Sequence, residues 1–310
     1  MNSIFVLGSF VVDLMCRAPH LPLPGETVFA GPFRLGPGGK GSNQAIAAAR
    51  AGAAVGFMTR VGEDDFAALA RRTLQAEGIA DTFVYATPEH ATGAALIMVD
   101  ENTAENAITV AIGACAQLTA GDVAAAEAEI ASSRIFLTQL ETSLEATFAG
   151  LELARKHGVL TILNPAPVQP VTSAQLAGID ILTPNETEAA ALTGLPVTTC
   201  AEAETAARQL LSWGVKNVLL TMGAQGVLVV NGDGATLVPA FAVDEVVDTT
   251  GAGDAFNGGL AAALAEGRSL LDAVRFGCAV AGLSVTQLGT APAMPHRDEV
   301  EALLARAAAA

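Results

Sequence analysis

Short apolar runs separated by amphipathic stretches recur along this chain. Ile4-Phe5-Val6-Leu7 is bounded by Ser3 and Gly8 and reads as a buried strand. Ser42 to Ala51 then reads as a helix, and Ala54 to Thr59 as a second strand. Asp64-Asp65 can cap a helix running to about Glu77, because a short carboxylate accepts the unpaired N–H groups of a first turn. Further strands are predicted over 134–138, 159–163, 179–183, 218–222 and 227–230, with helices between them, notably 144–157 and 201–213. From Asp254 to Ala310 the pattern is all helical, in three pieces separated at Gly267 and near 289–295. Strands alternating with helices predict a mostly parallel sheet covered on both faces, a three-layer α/β/α domain.

Two stretches break the alternation. Asp13 to Arg34 is punctuated by Pro and Gly, and Gly93 to Ile112 reads as two strands joined by a polar turn at Asp100 to Glu105. Together they predict a small antiparallel sheet, a lid formed by about 13–35 and 93–112 and inserted in a single domain over 1–310. In the strand after Gly93, Ala94, Leu96 and Met98 alternate with Ala95, Ile97 and Val99, so both faces are apolar. Such a sheet must cover something on each side, a site beneath it and a second subunit. The alternative is that these strands join the central sheet.

With 310 residues, 51% of them hydrophobic, the chain has ample material for a core. Its formal charge of −16 argues against a nucleic-acid or anionic membrane surface. Met1-Asn2-Ser3 lacks a basic leader, and no apolar stretch approaches the length of a membrane span. Cys16, Cys115, Cys200 and Cys278 are far apart and form no Cys-x-x-Cys, which predicts free thiols and a cytoplasmic protein. No histidines stand at zinc-ligand spacing.

Candidate chemistry centres on Thr249-Thr250-Gly251-Ala252-Gly253-Asp254, at the expected start of a helix. A helix start offers unpaired N–H groups and the positive end of the macrodipole, a seat for an anion. Gly251 and Gly253 would let a phosphate approach the backbone, and Asp254 would stand where a general base for an attacking hydroxyl belongs. An ordinary Asp near a helix N-terminus is the plainer reading of that segment alone.

A second constellation is Gly36-Pro37-Gly38-Gly39-Lys40-Gly41-Ser42-Asn43. Its Gly-x-Gly-x-x-Gly suggests a dinucleotide site, hence an NAD(P)-dependent oxidoreductase, but it follows an irregular segment rather than the first core strand. It is not a P-loop either, because Arg34 stands at the first glycine position and Gly41 follows Lys40. A polyol site is more consistent: tight glycines admit a sugar, while Lys40 and Asn43 supply donors. Asp13 and Glu141 each end a predicted strand, where α/β sheets place ligand contacts, although either is also explained as a loop or capping residue. Asn185 and Glu188 would share a first helical turn and suit a Mg²⁺-water shell, and a capping box explains them equally well. Thr221-Met222-Gly223-Ala224-Gln225-Gly226 reads as a strand followed by a glycine turn.

Taken together these segments resemble the ribokinase / phosphofructokinase-B superfamily of carbohydrate kinases. Gly38 to Ala45 resembles its first signature, Asp248 to Asp254 its second, and Asn185-Glu186-Thr187-Glu188 its magnesium motif. The resemblance runs nearly end to end. Within the superfamily, Thr92 to Ile97, Gln139-Leu140-Glu141 and Leu163 to Pro167 are most similar to the ribose kinases. It implies a nine-stranded α/β domain with a β lid through which two copies dimerise. It implies ATP-dependent phosphorylation of the primary hydroxyl of a small sugar, D-ribose foremost; a nucleoside, a ketohexose or a sugar acid are the alternatives.

The resemblance also implies roles. Asp13, Gly39, Lys40, Asn43 and Glu141 would bind the sugar, with Asp254 as base. Gly251, Ala252 and Gly253 would form the anion hole with Asp254. Asn185, Thr221, Gly223, Gly226, Gly253 and Cys278 would lie along the nucleotide. Asn185 and Glu188 would hold Mg²⁺ through water, while Asp248, Thr250, Ser284, Gln287 and Gly289 would surround K⁺. Two positions depart from the pattern. Ala293 stands where a serine hydroxyl often contributes to the K⁺ site, and Val11 stands where bacterial ribose kinases often carry Asn.

Overall fold

The computed structural model describes residues 3–103 and 105–309. Met1, Asn2 and Ala310, and position 104 in the polar turn expected at 100–105, lie outside the described residues. The strands are β1 (Ile4–Leu7), β2 (Val11–Ala18), β3 (Arg34–Gly38), β4 (Val55–Gly62), β5 (Ala80–Thr87), β6 (Thr92–Asp100), β7 (Asn106–Gly113), β8 (Ile135–Thr138), β9 (Leu160–Leu163), β10 (Ile181–Leu182), β11 (Asn217–Thr221), β12 (Val227–Asn231) and β13 (Gly234–Val238). Nine of them form the main sheet in the order β13-β12-β11-β10-β9-β8-β1-β4-β5. It is parallel from β5 to β11, and β12 and β13 add an antiparallel edge.

Alternation along β1 explains the three layers. Ile4 and Val6 pack into one cluster with Ala45, Leu74, Leu260 and Val280 from helices on one face. Phe5 and Leu7 pack with Leu151, Ala154 and Leu210 on the other. Phe5 stacks on Phe136 with ring centroids 6.3 Å apart and meets Phe83 edge-on at 5.6 Å. Burying one such ring contributes about 1.5–3 kcal/mol. The expected helices form with small end shifts: Lys40–Arg50, Asp65–Ala76, Leu144–Lys156, Cys200–Ser212, Ala252–Ala265, Leu270–Ser284 and Arg297–Ala309. Asp64 is the N-cap foreseen, its carboxylate accepting from the Ala67 amide. No helix among the described residues is long and apolar enough to cross a membrane, and all four cysteines are free.

The lid is a separate sheet in the order β3-β2-β6-β7. Its expected antiparallel character holds for β2–β3 and β6–β7, but the central pair β2–β6 is parallel. The reason is topological. β2 continues β1 and β6 continues β5 after short connections, so both leave the parallel main sheet in one direction. The cross-strand register puts Asp13 on the same face as Ala95, Ile97, Ile108 and Val110, with Leu14, Leu35 and Leu96 on the opposite face. Leu35, Leu96, Ile108 and Val110 are all exposed, Leu96 by 56%.

Candidate active site

The carboxyl ends of β1, β8, β9, β10 and β11 share one edge of the sheet, the edge where open α/β sheets hold ligands. The starts of two helices meet them there. The helix Ala252–Ala265 begins at Gly251, whose φ of 79° is the left-handed conformation that favours glycine, and no side chain caps it. Its first residues, Ala252, Gly253 and Asp254, line a cavity of about 150 Å³ with Gly251. A Cβ added to Gly253 would meet no atom within 4 Å, so that glycine faces open space. Lys40, Asn185, Glu188 and Thr221 line the same cavity.

Asp254 is only 5% exposed, yet both its oxygens are satisfied. The Asn43 amide donates to Oδ2 at 2.9 Å and the Gln44 amide donates to Oδ1 at 2.9 Å. Because a carboxylate only accepts, both amides must turn their NH₂ groups toward it. Gln44 also donates to Asn164 Oδ1 at 3.1 Å, and its own carbonyl accepts from Gln139 at 2.6 Å. Asn164 donates to the Thr183 carbonyl, the Thr183 hydroxyl donates to Asn257, and Asn257 returns to the Gly253 carbonyl at 2.8 Å. The carboxylate thus sits in a buried network of amides and one hydroxyl drawn from two helices and three strand ends. Asn43 Oδ1 is left buried without a partner. An unpaired buried acceptor is costly, and a ligand hydroxyl is the donor that would satisfy it.

Glu141, after β8, accepts from the Ser9 hydroxyl at 2.5 Å and the Lys40 backbone amide at 2.9 Å. Asp13, on β2, is pushed up to about 6, chiefly by burial, with the charges of Glu141 and Asp254 adding to it and a hydrogen bond from Thr290 opposing it. A Cβ on Gly38 would overlap the Asp13 carboxylate, so only glycine lets that side chain lie against β3. Burial disfavours the Lys40 charge, but the carboxylates of Asp254, Glu141 and Glu188 outweigh it and its pKa rises. A ring of acceptors around one cation suits an uncharged ligand rich in hydroxyls beside an anionic one.

Asn185 and Glu188 form the capping box foreseen as their alternative reading: each side chain bonds the other's backbone amide, at 2.8 and 2.9 Å. Both still line the cavity, and burial pushes the Glu188 carboxyl up. Asp248 accepts from the amides of Thr250 at 2.9 Å and Gly289 at 3.0 Å, which draws together the two segments of the expected cation site. Ser284 is buried, and its hydroxyl donates to the Ala281 carbonyl. Ala293 is buried too. Gly223 and Gly226 bound the tight turn after β11 and do not line the cavity. Cys278 is a core residue, its thiol pushed up to about 12 by burial. Gly39, with φ 94°, caps the helix that carries Lys40 and Asn43.

Sequence reasoning gave no role to Ser9, Gln44, Asn164, Thr183 or Asn257. Position was the available signal, since Asn164 and Thr183 each follow a strand at the functional edge and Gln44 adjoins Asn43.

The chain matches the family model described as pfkB family carbohydrate kinase over residues 1–297. It is 40% identical over 298 residues to a ribokinase of Haemophilus influenzae, covering 96% of this chain and 97% of that one. To a deoxyribokinase of Salmonella typhi it is 38% identical with the same coverage. Among solved structures, Arabidopsis thaliana ribokinase complexed with ribose and ATP superimposes with a TM-score of 0.90 at 31% identity, covering 98% of both chains.

Proposed function

This chain belongs to the pfkB family of carbohydrate kinases, and on that premise we propose that it transfers the γ-phosphoryl group of ATP to the primary hydroxyl of D-ribose. The observation that carries the reading is Asp254, a buried carboxylate held by two amides at an uncapped, glycine-lined helix start. Asp13, Gly39, Lys40, Asn43 and Glu141 bind the sugar, whose hydroxyls donate to the carboxylates and to the free Asn43 oxygen. Asp254 takes the proton of the primary hydroxyl as its oxygen attacks phosphorus. The backbone amides of Gly251, Ala252, Gly253 and Asp254 stabilise charge developing on the transferring group. The raised pKa of Lys40 keeps its ammonium charged beside that group.

The nucleotide runs past Asn185, Thr221, Gly223 and Gly226 toward Cys278. Asn185 and Glu188 line the cavity as oxygen donors and fit Mg²⁺, which takes few protein oxygens and keeps water and phosphate ligands. When bound, that ion neutralises phosphate charge. Asp248, with Thr250, Ser284, Gln287 and Gly289, would hold K⁺ beside the anion hole. Two copies pair through the lid, covering Leu96 and its exposed apolar neighbours.

A second reading has one observation in its favour. Val11, at the lid end of the sugar site, is buried against Ala95 and Ile97 and offers no polar atom from its side chain. A pentose lacking one hydroxyl, such as 2-deoxyribose, loses nothing there. Measuring ADP release across ribose, 2-deoxyribose, ketohexoses, sugar acids and nucleosides separates the readings. Ribose with the highest kcat/KM supports the first, and a higher value for another acceptor replaces it.

A further inference from the structure

Thr290 lies in the loop after the helix Leu270–Ser284, remote in sequence from every proposed sugar contact, yet it reaches into that site. It is 8% exposed. Its hydroxyl lies 2.9 Å from Asp13 Oδ2 and 3.3 Å from the Pro37 carbonyl. A hydroxyl has one proton, and the nearer, charged carboxylate is the stronger acceptor. The rest of the side chain lies toward the phosphate end: a Cβ on Gly251 would stand 3.5 Å from Thr290 Cβ and from Cγ2. One residue therefore spans the lid carboxylate and the glycine that opens the anion hole.

The loop around it is fixed on both sides. Before it, the Gly289 amide donates to Asp248 Oδ2 at 3.0 Å. After it, Arg50 Nη1 donates to the carbonyls of Ala291, Pro292 and Met294 at 3.2, 3.2 and 2.6 Å, while Nε and Nη2 grip Glu77. Arg50 ends the helix that begins at Lys40. A hydroxyl on so constrained a loop makes a fixed anchor for a carboxylate on a lid strand.

We propose that Thr290 is a positioning residue for sugar binding: its hydroxyl holds Asp13 in the orientation that accepts from the acceptor sugar. The proposal rests on the reading of Asp13 as a sugar contact. Thr290→Val keeps shape and removes the donor, whereas Thr290→Ser keeps the donor. The expected result for Thr290→Val is a sugar KM raised roughly tenfold, the scale of a hydrogen bond to a charged group, with much smaller changes in kcat and in KM for ATP. Thr290→Ser should return sugar KM to within about threefold of the parent, as expected if the donor matters more than packing. Sugar affinity measured by calorimetry should follow the same order.

Unchanged sugar KM in Thr290→Val overturns the proposal. So does a parallel loss of kcat, both KM values and melting temperature, which marks a merely structural role. Asp13→Asn, measured alongside, separates the two layers of the argument. No sugar effect from Asp13→Asn removes the reading of Asp13 itself. A large effect there, with none in Thr290→Val, removes only the positioning role. If both hold, the double variant should cost less than the two singles combined, because they share one bond.

Discussion

Asp254 belongs to the core and Asp13 to the lid, and the two regions hold their carboxylates in different ways. Asp254 is fixed by two amides, and the Gln44 amide is itself fixed by Gln139 and Asn164. Asp13 stands on a strand whose sheet exposes apolar side chains on both faces, and its side-chain donor is the hydroxyl of Thr290. Redundant hydrogen bonding in a close-packed interior leaves one geometry, which suits a group that must meet a reacting hydroxyl within tenths of an ångström. With one side-chain donor, the orientation of Asp13 depends on a single contact. In the proposed mechanism the reacting carboxylate stands in the core, and one of the sugar contacts, Asp13, stands in the lid.

The largest effect should come from the core. Asp254→Asn keeps the shape of the side chain, and it should lower kcat roughly 10²–10⁴-fold with folding intact, read by steady-state kinetics and circular dichroism. Turnover near the parent's would end its assignment as base. Next comes the amide network. Gln44→Leu removes one donor from Asp254 and strands the Gln139 amide, so kcat should fall about 10–100-fold while KM for ATP stays near the parent value. Equal losses in every parameter would show that Gln44 only supports the fold.

At the lid end the handle is pH. Burial raises Asp13 to about 6, so its carboxylate is charged at pH 7.5 and progressively protonated below pH 6. Protonation turns one oxygen into a donor and removes the charge that strengthens both as acceptors, so kcat/KM for the sugar should fall toward about tenfold per pH unit below that point, with KM for ATP holding. An acid limb that stays in place in Asp13→Asn would assign it to another group. The smallest effect on turnover should come from Leu96→Glu. A charge on the outer lid face should leave kcat within about twofold and convert a dimer to a monomer in light scattering. A persistent dimer would mean that the lid is not the contact.

Much of the main fold was legible because local patterns carried it. Short, mainly apolar runs gave β1, β8 and β9, and Asp64 marked its helix start correctly. The edge strands β5 and β13 were not foreseen: Ala80 to Thr87 and Gly234 to Val238 mix polar and apolar residues as exposed edges do. The parallel pairing of β2 with β6 depends on where two distant strands leave the main sheet, which periodicity does not encode. At the site, residues adjacent in sequence such as 251–254 could be read as a unit. The network through Gln44, Gln139, Asn164, Thr183 and Asn257 joins positions up to 120 residues apart in a single bond, and ordinary polar residues announce no such contact. Thr290 escaped notice for the same reason.

The most direct test is a crystal structure of the ternary complex with the acceptor sugar and a non-hydrolysable ATP analogue. An Asp254 oxygen should lie about 2.6–3.2 Å from the sugar's primary hydroxyl, with that hydroxyl in line with the terminal phosphorus and the phosphate oxygens against the amides of Gly251 to Asp254. Asp254 turned away from the acceptor, or a terminal phosphate bound elsewhere, would contradict the account.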